Sequence, residues 1–260
     1  PPPYNWTEAG HQQKEAFFKK VSEKAAFSGF PSQLLKEWMG QFFPNFVQTG
    51  IVLPHQDISG KRSNIETVAY FDTKKFNLVH AGNLFNVRNP FPLIEGYLEF
   101  LKNYPEANEK SQLSFLGSSH DHQPLLSEKY SDDPTIYISE GYVAFSEVQF
   151  VQQNTAVNVI IEADSKISPF LPGKFPYCVK ANTPILLLSP RNSESNRLLG
   201  DDYEYSSLPT DVNAISKIIT SLYLKWKNQN GTLLLDRKDL QTYFSSNFFA
   251  QQILEIENSL

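Results

Sequence analysis

The chain has 260 residues, 40% hydrophobic and 20% charged, which is enough for one large folded domain or for one domain with part of a second. A formal net charge of −5 disfavours a broad nucleic-acid-binding surface. The single cysteine, Cys178, excludes an intrachain disulfide. No apolar run approaches the roughly 20 residues of a membrane-spanning helix, so we expect a cytoplasmic protein.

The first part of the chain predicts two helices and a strand. Residues 8–25 have the spacing of an amphipathic helix with Ala16 and Phe17 on its apolar stripe, and a second helix opens at residues 31–32 and runs to 39. Residues 51–53 predict a strand. The polar, turn-rich residues 56–66 predict a linker.

From residue 67 onward, short apolar strands alternate with helical segments. Strands are predicted at 76–79, 113–116, 135–138, 157–161 and 185–188, with an edge strand at 203–208. Helices are predicted at 92–104, 122–130, 145–153, 174–181, 193–199, 209–226 and 237–257. Strands that are apolar throughout indicate a parallel sheet covered on both faces. We therefore predict an α/β, Rossmann-like, doubly wound fold, whose ligands bind beyond the carboxyl ends of the strands.

The turn after the first of these strands is one candidate ligand site. Gly82 would let a ligand approach the backbone closely, and Arg88 would add donors for a phosphate. A strand-ending glycine beside a surface arginine explains the same residues equally well. The G-x-G-x-x-G dinucleotide fingerprint needs further glycines, so a nicotinamide-dependent oxidoreductase is a weaker alternative.

Lys174 opens the helix that follows the fourth strand of the alternation, on the same edge of the sheet. A cation at a helix N-terminus gains nothing from the helix dipole, so an anion beyond the helix end explains this lysine better. A solvated loop lysine is the simpler alternative.

Three other patterns have less support. His120-Asp121-His122 offers metal-ligand side chains without a third ligand in view, so a solvated loop is favoured and no metal site is predicted. Tyr70 and Lys74 have the Tyr-x-x-x-Lys spacing of short-chain dehydrogenases but precede the first strand. Neither a G-x-S-x-G nor a P-loop motif occurs.

Several segments together resemble the donor-binding domain of retaining GT-B glycosyltransferases. The likeness covers about residues 76–227, and the segments that carry it are Ala81-Gly82-x-Leu84 with Arg88, Gly141-Tyr142-Val143 with Glu147, Leu171 to Phe175, and Thr183 to Leu188. The resemblance implies three parts: residues 1–66 as a remnant of the acceptor domain with its linker, 67–227 as the nucleotide-sugar-binding domain, and 228–260 as a C-terminal helical extension. The acceptor half of a longer enzyme would then be largely missing.

The resemblance also implies roles for the matched residues. Gly82 and Asn83 would bind the diphosphate through the backbone, and Arg88 and Lys174 would neutralise it as it leaves. Tyr142 and Val143 would flank the nucleotide base. These cations replace a divalent ion, so no metal and no cofactor is expected beyond the sugar donor.

The sequence departs from the family at its usual pair of glutamates. The corresponding positions are Pro169 and Tyr177, and neither is acidic, although Tyr177 would still lie beside the ribose. Glu162 and Asp164, upstream, are weak candidates for a catalytic role.

The resemblance predicts a hexosyltransferase donor domain that uses UDP or GDP sugars. Its acceptor would be a glycan or a lipid-linked molecule, in polysaccharide or surface-glycan synthesis, with peripheral membrane contact through the missing domain. These residues alone are expected to be inactive. The alternative is a non-catalytic nucleotide-binding or partner-binding module with a degenerate glycosyltransferase fold, which the absent glutamates favour.

Overall fold

The computed structural model describes residues 8–56, 65–85 and 87–258, with only the backbone for residues 8 and 9. Most of the predicted linker, at 57–64, lies outside the described residues. No helix in the described ranges combines the length and apolar character needed to cross a membrane.

A small two-stranded parallel unit comes first. Its elements are α1 (Glu8–Lys24), β1 (Ser28–Phe30), α2 (Gln33–Gly40), α3 (Asn45–Thr49) and β2 (Gly50–Val52), with β1 paired to β2. Both predicted helices and the predicted strand are confirmed, whereas β1 and α3 were not predicted. Phe30, Met39 and Phe46 form the core of this unit.

The predicted apolar stripe of α1 was wrong at Phe17 and at its neighbour Ala16, which is also exposed. Phe17 is 60% exposed, whereas Phe18 packs with Val21 against the core of the small unit. Two consecutive phenylalanines on a helix point about 100° apart, so only one of them can face that core. The sequence alone does not say which.

The main body is one six-stranded parallel sheet with the order β5-β4-β3-β6-β7-β8. Its strands are β3 (Phe76–Ala81), β4 (Ser111–Leu116), β5 (Ile136–Ile138), β6 (Val157–Ile161), β7 (Ile185–Leu188) and β8 (Ser206–Ser207). The order runs outward in both directions from the pair β3 and β6, which is the doubly wound Rossmann arrangement. The predicted fold class is confirmed.

Helices cover both faces of the sheet. They are α4 (Phe91–Asn103), α5 (Gln123–Tyr130), α6 (Phe145–Asn154), α7 (Phe175–Ala181), α8 (Glu194–Leu199) and α9 (Val212–Asn228), with short 3₁₀ turns at Pro105–Ala107 and His120–His122. Helices α4 and α9 pack closely because Gly96 of α4 has no side chain. A Cβ at this position would lie only 2.7 Å from Ile215 Cγ2 of α9. Strands β3 and β6 are fully buried, as sheets covered on both faces require.

The predicted C-terminal helix at 237–257 is two helices, α10 (Lys238–Tyr243) and α11 (Ser246–Glu257). Ser245 separates them, because its hydroxyl accepts a hydrogen bond from the amide of Phe248 (3.2 Å) and so caps α11. Both segments have helical composition, and the prediction overlooked this N-cap. The predicted edge strand at 203–208 shortens to the two residues of β8.

The small unit packs on the carboxyl edge of the main sheet. The hydroxyl of Ser32, which caps α2, donates to the carbonyl of Pro169 (2.5 Å). The amides of Gln33 and Leu34 donate to the buried carboxylate of Glu194. The boundaries at residues 66 and 227 stay predictions.

Candidate functional site

The candidate site lies where the strand order reverses. The loops after β3 and β6 both leave the carboxyl edge of the sheet there, on either side of the crevice in which this architecture binds ligands. A cavity of about 460 Å³ opens at this point. Its lining is Ala81, Gly82, Asn83, Leu116, Gly117, Ser118, Tyr142, Val143, Phe145, Val148, Gln152, Gly173, Lys174 and Tyr177.

Most of the residues predicted for ligand binding meet in this cavity. The lining includes those predicted for the diphosphate and those predicted for the nucleoside: Gly82, Asn83, Tyr142, Val143, Lys174 and Tyr177. Arg88, Glu162 and Asp164 do not line it. Residues separated by more than 90 positions in the sequence therefore share one hollow, and their roles in binding stay predictions.

Gly82 and Lys174 are in direct contact. A Cβ on Gly82 would lie 3.0 Å from both Cε and Nζ of Lys174, and Gly82 has φ +133°, a conformation that other residues rarely adopt. Part of the Lys174 side chain borders the cavity, while its amine lies among protein atoms. Burial, together with the charge of Arg88, lowers the pKa of Lys174 to about 7.

His80 holds the amine of Lys174, and sequence reasoning assigned it no role. His80 Nδ1 lies 3.2 Å from the carbonyl of Val159, and Lys174 Nζ lies 3.0 Å from His80 Nε2. Lys174 Nζ also lies 3.4 Å from His80 Nδ1, so the amine lies over the imidazole ring and not along the lone pair of Nε2. Burial and the charges of Lys174 and Arg88 keep the pKa of His80 well below its usual range, so the ring is neutral. A histidine between the apolar residues Val79 and Ala81 was the available signal.

Arg88 lies at the rim of the site. Its Nη1 is 3.5 Å from the carbonyl oxygen of Asn83, and its guanidinium lies 5.8 Å from the ring centre of Phe85. Its charge lowers the pKa values of His80, Lys174 and Glu162. Arg88 therefore adds to the positive potential of the site from outside the cavity lining.

The two predicted catalytic candidates differ in their surroundings. Glu162 directly follows β6 and is 3% exposed. Burial raises its pKa to about 7. The hydroxyls of Ser168 and Ser195 and the charge of Arg88 act in the opposite direction and lower this pKa. Neither carboxylate oxygen of Glu162 has a hydrogen bond of ordinary geometry within the described part of the chain. Asp164 is exposed.

Aromatic residues also line the cavity. Tyr142 is 90% exposed, and Tyr177 meets Phe145 edge to face with ring centres 5.4 Å apart. Gly117 is a further residue that sequence reasoning missed, since a Cβ there would lie 3.1 Å from the carbonyl carbon of Gly82. Tyr142 therefore provides an exposed aromatic surface for stacking in the same cavity as Gly82, Gly117 and Lys174.

The His120-Asp121-His122 segment forms a short 3₁₀ turn beside the site. The ring of His120 stacks on Phe85 at 4.7 Å, and that of His122 meets Phe91 edge to face at 5.9 Å. Among residues 8–56, 65–85 and 87–258, no three His, Cys, Asp or Glu side chains come together as metal ligands.

Several solved structures with a similar fold are glycosyltransferases. The chain superposes on a glycosyltransferase from Rickettsia africae with a TM-score of 0.68 at 11% identity, covering 98% of this chain and 67% of that one. Anabaena HepE, crystallised with UDP and glucose, gives 0.65 at 13% identity, covering 97% and 68%. S. aureus TarM, crystallised with fondaparinux, α-GlcNAc-glycerol and UDP, gives 0.64 at 13% identity, covering 97% and 48%.

The chain has the fold of GT-B glycosyltransferases. The resemblance predicted from the sequence is thus confirmed at the level of the fold. The chain spans about half the length of S. aureus TarM and of a chain in the GtfA/B complex. No family model matches the sequence, and comparison with curated proteins finds no match.

The two positions at which the resemblance led us to expect glutamates, Pro169 and Tyr177, make other contacts in this structure. Pro169 is buried and accepts the hydrogen bond from Ser32, so it serves the packing of the small unit. Tyr177 lines the cavity with its aromatic ring. No Asp or Glu is among the described residues that line the cavity.

A Gly82→Ala variant is expected to lose about 2 kcal/mol of unfolding free energy. The new Cβ brings backbone strain, on the order of 1–3 kcal/mol, and the end of the Lys174 side chain must shift to make room for it. Chemical denaturation measures this loss directly.

Gly141→Ala is the matched control for that variant. Gly141 has a similar φ of +120°, but a Cβ there would meet nothing within 4 Å. It therefore reports the backbone strain alone. Equal losses in the two variants would show that the contact between Gly82 and Lys174 has no energetic weight.

Proposed function

We propose that this chain binds a nucleoside diphosphate sugar in the cavity at the switch point and is the donor-binding part of a hexosyltransferase. The single observation that carries the proposal is the contact of Gly82 with Lys174 inside a cavity that also contains Tyr142, Val143 and Tyr177. A diphosphate binds to backbone amides that a glycine leaves accessible and to a cationic amine, and a nucleoside binds to aromatic stacking surfaces. The neighbours crystallised with UDP support UDP as the first nucleotide to test, ahead of GDP.

The proposal extends to the reaction. Lys174 and Arg88 would stabilise the negative charge that develops on the leaving diphosphate, without a metal ion. Glu162, whose pKa burial raises to about 7 so that about half of it is protonated near pH 7, is the weak candidate for a further polar contact to the sugar. The acceptor would be a glycan or a lipid-linked molecule in polysaccharide or surface-glycan synthesis. The single cysteine is buried and free, which agrees with a cytoplasmic setting.

We further propose that these residues bind the donor but do not transfer the sugar alone. The neighbours are longer than this chain, and the cleft of a GT-B enzyme lies between two domains. The absence of acidic residues from the described lining favours a second candidate function, a nucleotide-binding module without catalysis. Nucleotide binding combined with sugar transfer or donor hydrolysis would exclude this second candidate.

A thermal-shift titration tests the donor site. UDP, GDP and a UDP-sugar are added to the full chain, and a nucleotide at 100 times its Kd should add about 2.7 kcal/mol of stability. Arg88→Ala should reduce that gain, because it removes a charge at the rim of the site. Lys166→Ala, an exposed loop lysine outside the cavity, is the charge-matched control and should retain the full gain. An absent shift with every nucleotide would contradict the proposal.

The affinity for UDP-glucose is expected to fall about 100-fold between pH 6 and pH 9. Lys174 has a pKa of about 7 in the free protein, and the diphosphate binds its protonated form, so deprotonation removes the binding-competent state as pH rises. Glu162 becomes charged over the same range and acts in the same direction. A sugar nucleotide is the suitable probe because its diphosphate bears no proton that titrates in this range.

Calorimetric titrations at several pH values measure that profile. Glu162→Gln should keep most of the pH dependence, since Lys174 still titrates in that variant. A flat profile in the unmodified protein would show that Lys174 does not contact the diphosphate.

A further inference from the structure

A second cavity, of about 520 Å³, lies at the opposite edge of the sheet, where β3 and β4 begin. Three lysines border it, Lys74, Lys110 and Lys227, and no Asp or Glu is among its described lining residues. It is therefore a basic hollow, separated from the donor cavity by the length of the strands.

The lysines of this cavity remain available to a ligand. Lys74 and Lys110 are exposed and form no ion pair within the described ranges. Lys227 lies 3.6 Å from Glu106, but both side chains are about half exposed, and ion pairs of this kind are weak. Three lysines around one hollow favour a ligand with more than one negative charge.

The floor of the cavity is aromatic and carries an unsatisfied donor. Tyr223 is 0% exposed, yet its hydroxyl has no hydrogen-bond partner among the residues that the structure describes. Burial raises the pKa of this phenol, so the hydroxyl keeps its proton and can donate. A buried donor without a partner costs free energy unless a ligand or water satisfies it.

Trp226 is held in place beside that tyrosine. Its ring stacks on Tyr223 with centres 6.1 Å apart at 23°, and it packs against Phe76 at 5.6 Å. A Cβ on Gly231 would lie 3.6 Å from Trp226 Nε1, so the turn after α9 passes close to the indole edge. The indole is therefore a fixed, partly exposed surface between the lysines.

We propose that this cavity binds a phosphorylated sugar. The phosphate would lie among the three lysines, and the sugar ring would pack a C–H face on Trp226. The hydroxyls of the sugar would meet the side chain of Asn230, which also lines the cavity. The volume far exceeds that of a phosphate ion, which leaves room for a ring. The site is independent of the donor cavity and does not rest on the proposed function.

Isothermal titration of the full chain tests this site with four probes: glucose 6-phosphate, glucose, inorganic phosphate and AMP. Glucose 6-phosphate should bind with a Kd below 1 mM, and the other three at least tenfold more weakly. Binding should weaken as sodium chloride rises from 50 to 300 mM, because exposed charges are screened. If inorganic phosphate binds as tightly as glucose 6-phosphate, the cavity does not recognise the sugar, and the proposal is wrong. If AMP binds as tightly, Trp226 stacks on a nucleobase and not on a sugar ring, and the proposal is also wrong.

Variants locate the binding on the chain. Lys74→Ala combined with Lys110→Ala should reduce the affinity for glucose 6-phosphate at least tenfold, and both positions are exposed, so folding should be unaffected. Lys166→Ala, distant from this cavity, is the control for overall charge. Unchanged affinity in the double variant, or no measurable binding to the unmodified chain, would overturn the proposal.

Discussion

A Lys174→Met variant is expected to bind UDP at least 100-fold more weakly while the free protein becomes more stable. The amine is the cation of the donor cavity that touches Gly82, so its removal leaves the diphosphate without its nearest positive charge. Methionine has a similar length and no charge to bury. Loss of binding and gain of stability are opposite changes, and a merely damaged fold produces only losses.

The gain in stability follows from the depressed pKa of Lys174. A pKa of about 7 means that charging this amine in the folded state is unfavourable, at about 1.4 kcal/mol for each tenfold change in the protonation equilibrium. Part of the side chain is exposed, and the imidazole of His80 loses its contact with the amine, so we expect a net gain of only about 2 kcal/mol.

The sign of the effect fixes its pH dependence. The unfolded chain binds the proton of Lys174 more tightly than the folded chain does, so the penalty in the unmodified protein is complete below about pH 7 and declines as pH rises towards the unfolded pKa. The advantage of Lys174→Met should therefore be largest near pH 6 and small near pH 10. Urea denaturation at both pH values measures it, with Lys166→Met as the exposed control. A destabilised variant at pH 6 would contradict this account.

The sheet was predictable because each of its main strands is a short, mostly apolar segment. Residues 157–161 and 185–188 became β6 and β7 with unchanged bounds, since mostly apolar composition and flanking turns leave little choice of structure. The ends of helices were less certain. The break at Ser245 depends on one side-chain hydrogen bond, which hydrophobic periodicity does not record.

The site was predictable in part, for a similar reason. Gly82 and Lys174 follow neighbouring parallel strands, so topology alone brings them to the same edge. His80 was missed because a strand residue that points into the core looks like packing in the sequence. Only the structure shows that the same imidazole meets the carbonyl of Val159 and the amine of Lys174. Glu194 was missed because its partners lie about 160 residues away.

A Glu194→Ala variant is expected to lose about 3 kcal/mol of unfolding free energy. The carboxylate is fully buried, accepts the amides of Gln33 and Leu34 at 3.3 and 3.1 Å, and forms a two-point ion pair with Arg197 at 2.7 and 2.9 Å. Its removal leaves two amides of the first turn of α2 without acceptors, and the guanidinium of Arg197 without its partner. Unlike an exposed ion pair, a buried carboxylate with four donors has no solvent to replace them.

The loss should appear as a fall in melting temperature of about 6–12 °C, given roughly 2–4 °C for each kcal/mol in a chain of this size. Glu194→Gln keeps one acceptor oxygen, so its melting temperature should lie between those of the unmodified protein and Glu194→Ala. Glu37→Ala is the control, because Glu37 is an exposed carboxylate on α2 that accepts the side-chain amide of Gln33 at 2.6 Å. If Glu194→Ala and Glu37→Ala have the same melting temperature, the small unit is held on the sheet by its apolar contacts and the Ser32 hydrogen bond alone. If only Glu194→Ala falls, this one carboxylate fixes the first turn of α2 against the carboxyl edge, beside the loop that follows β6 and leads to Lys174.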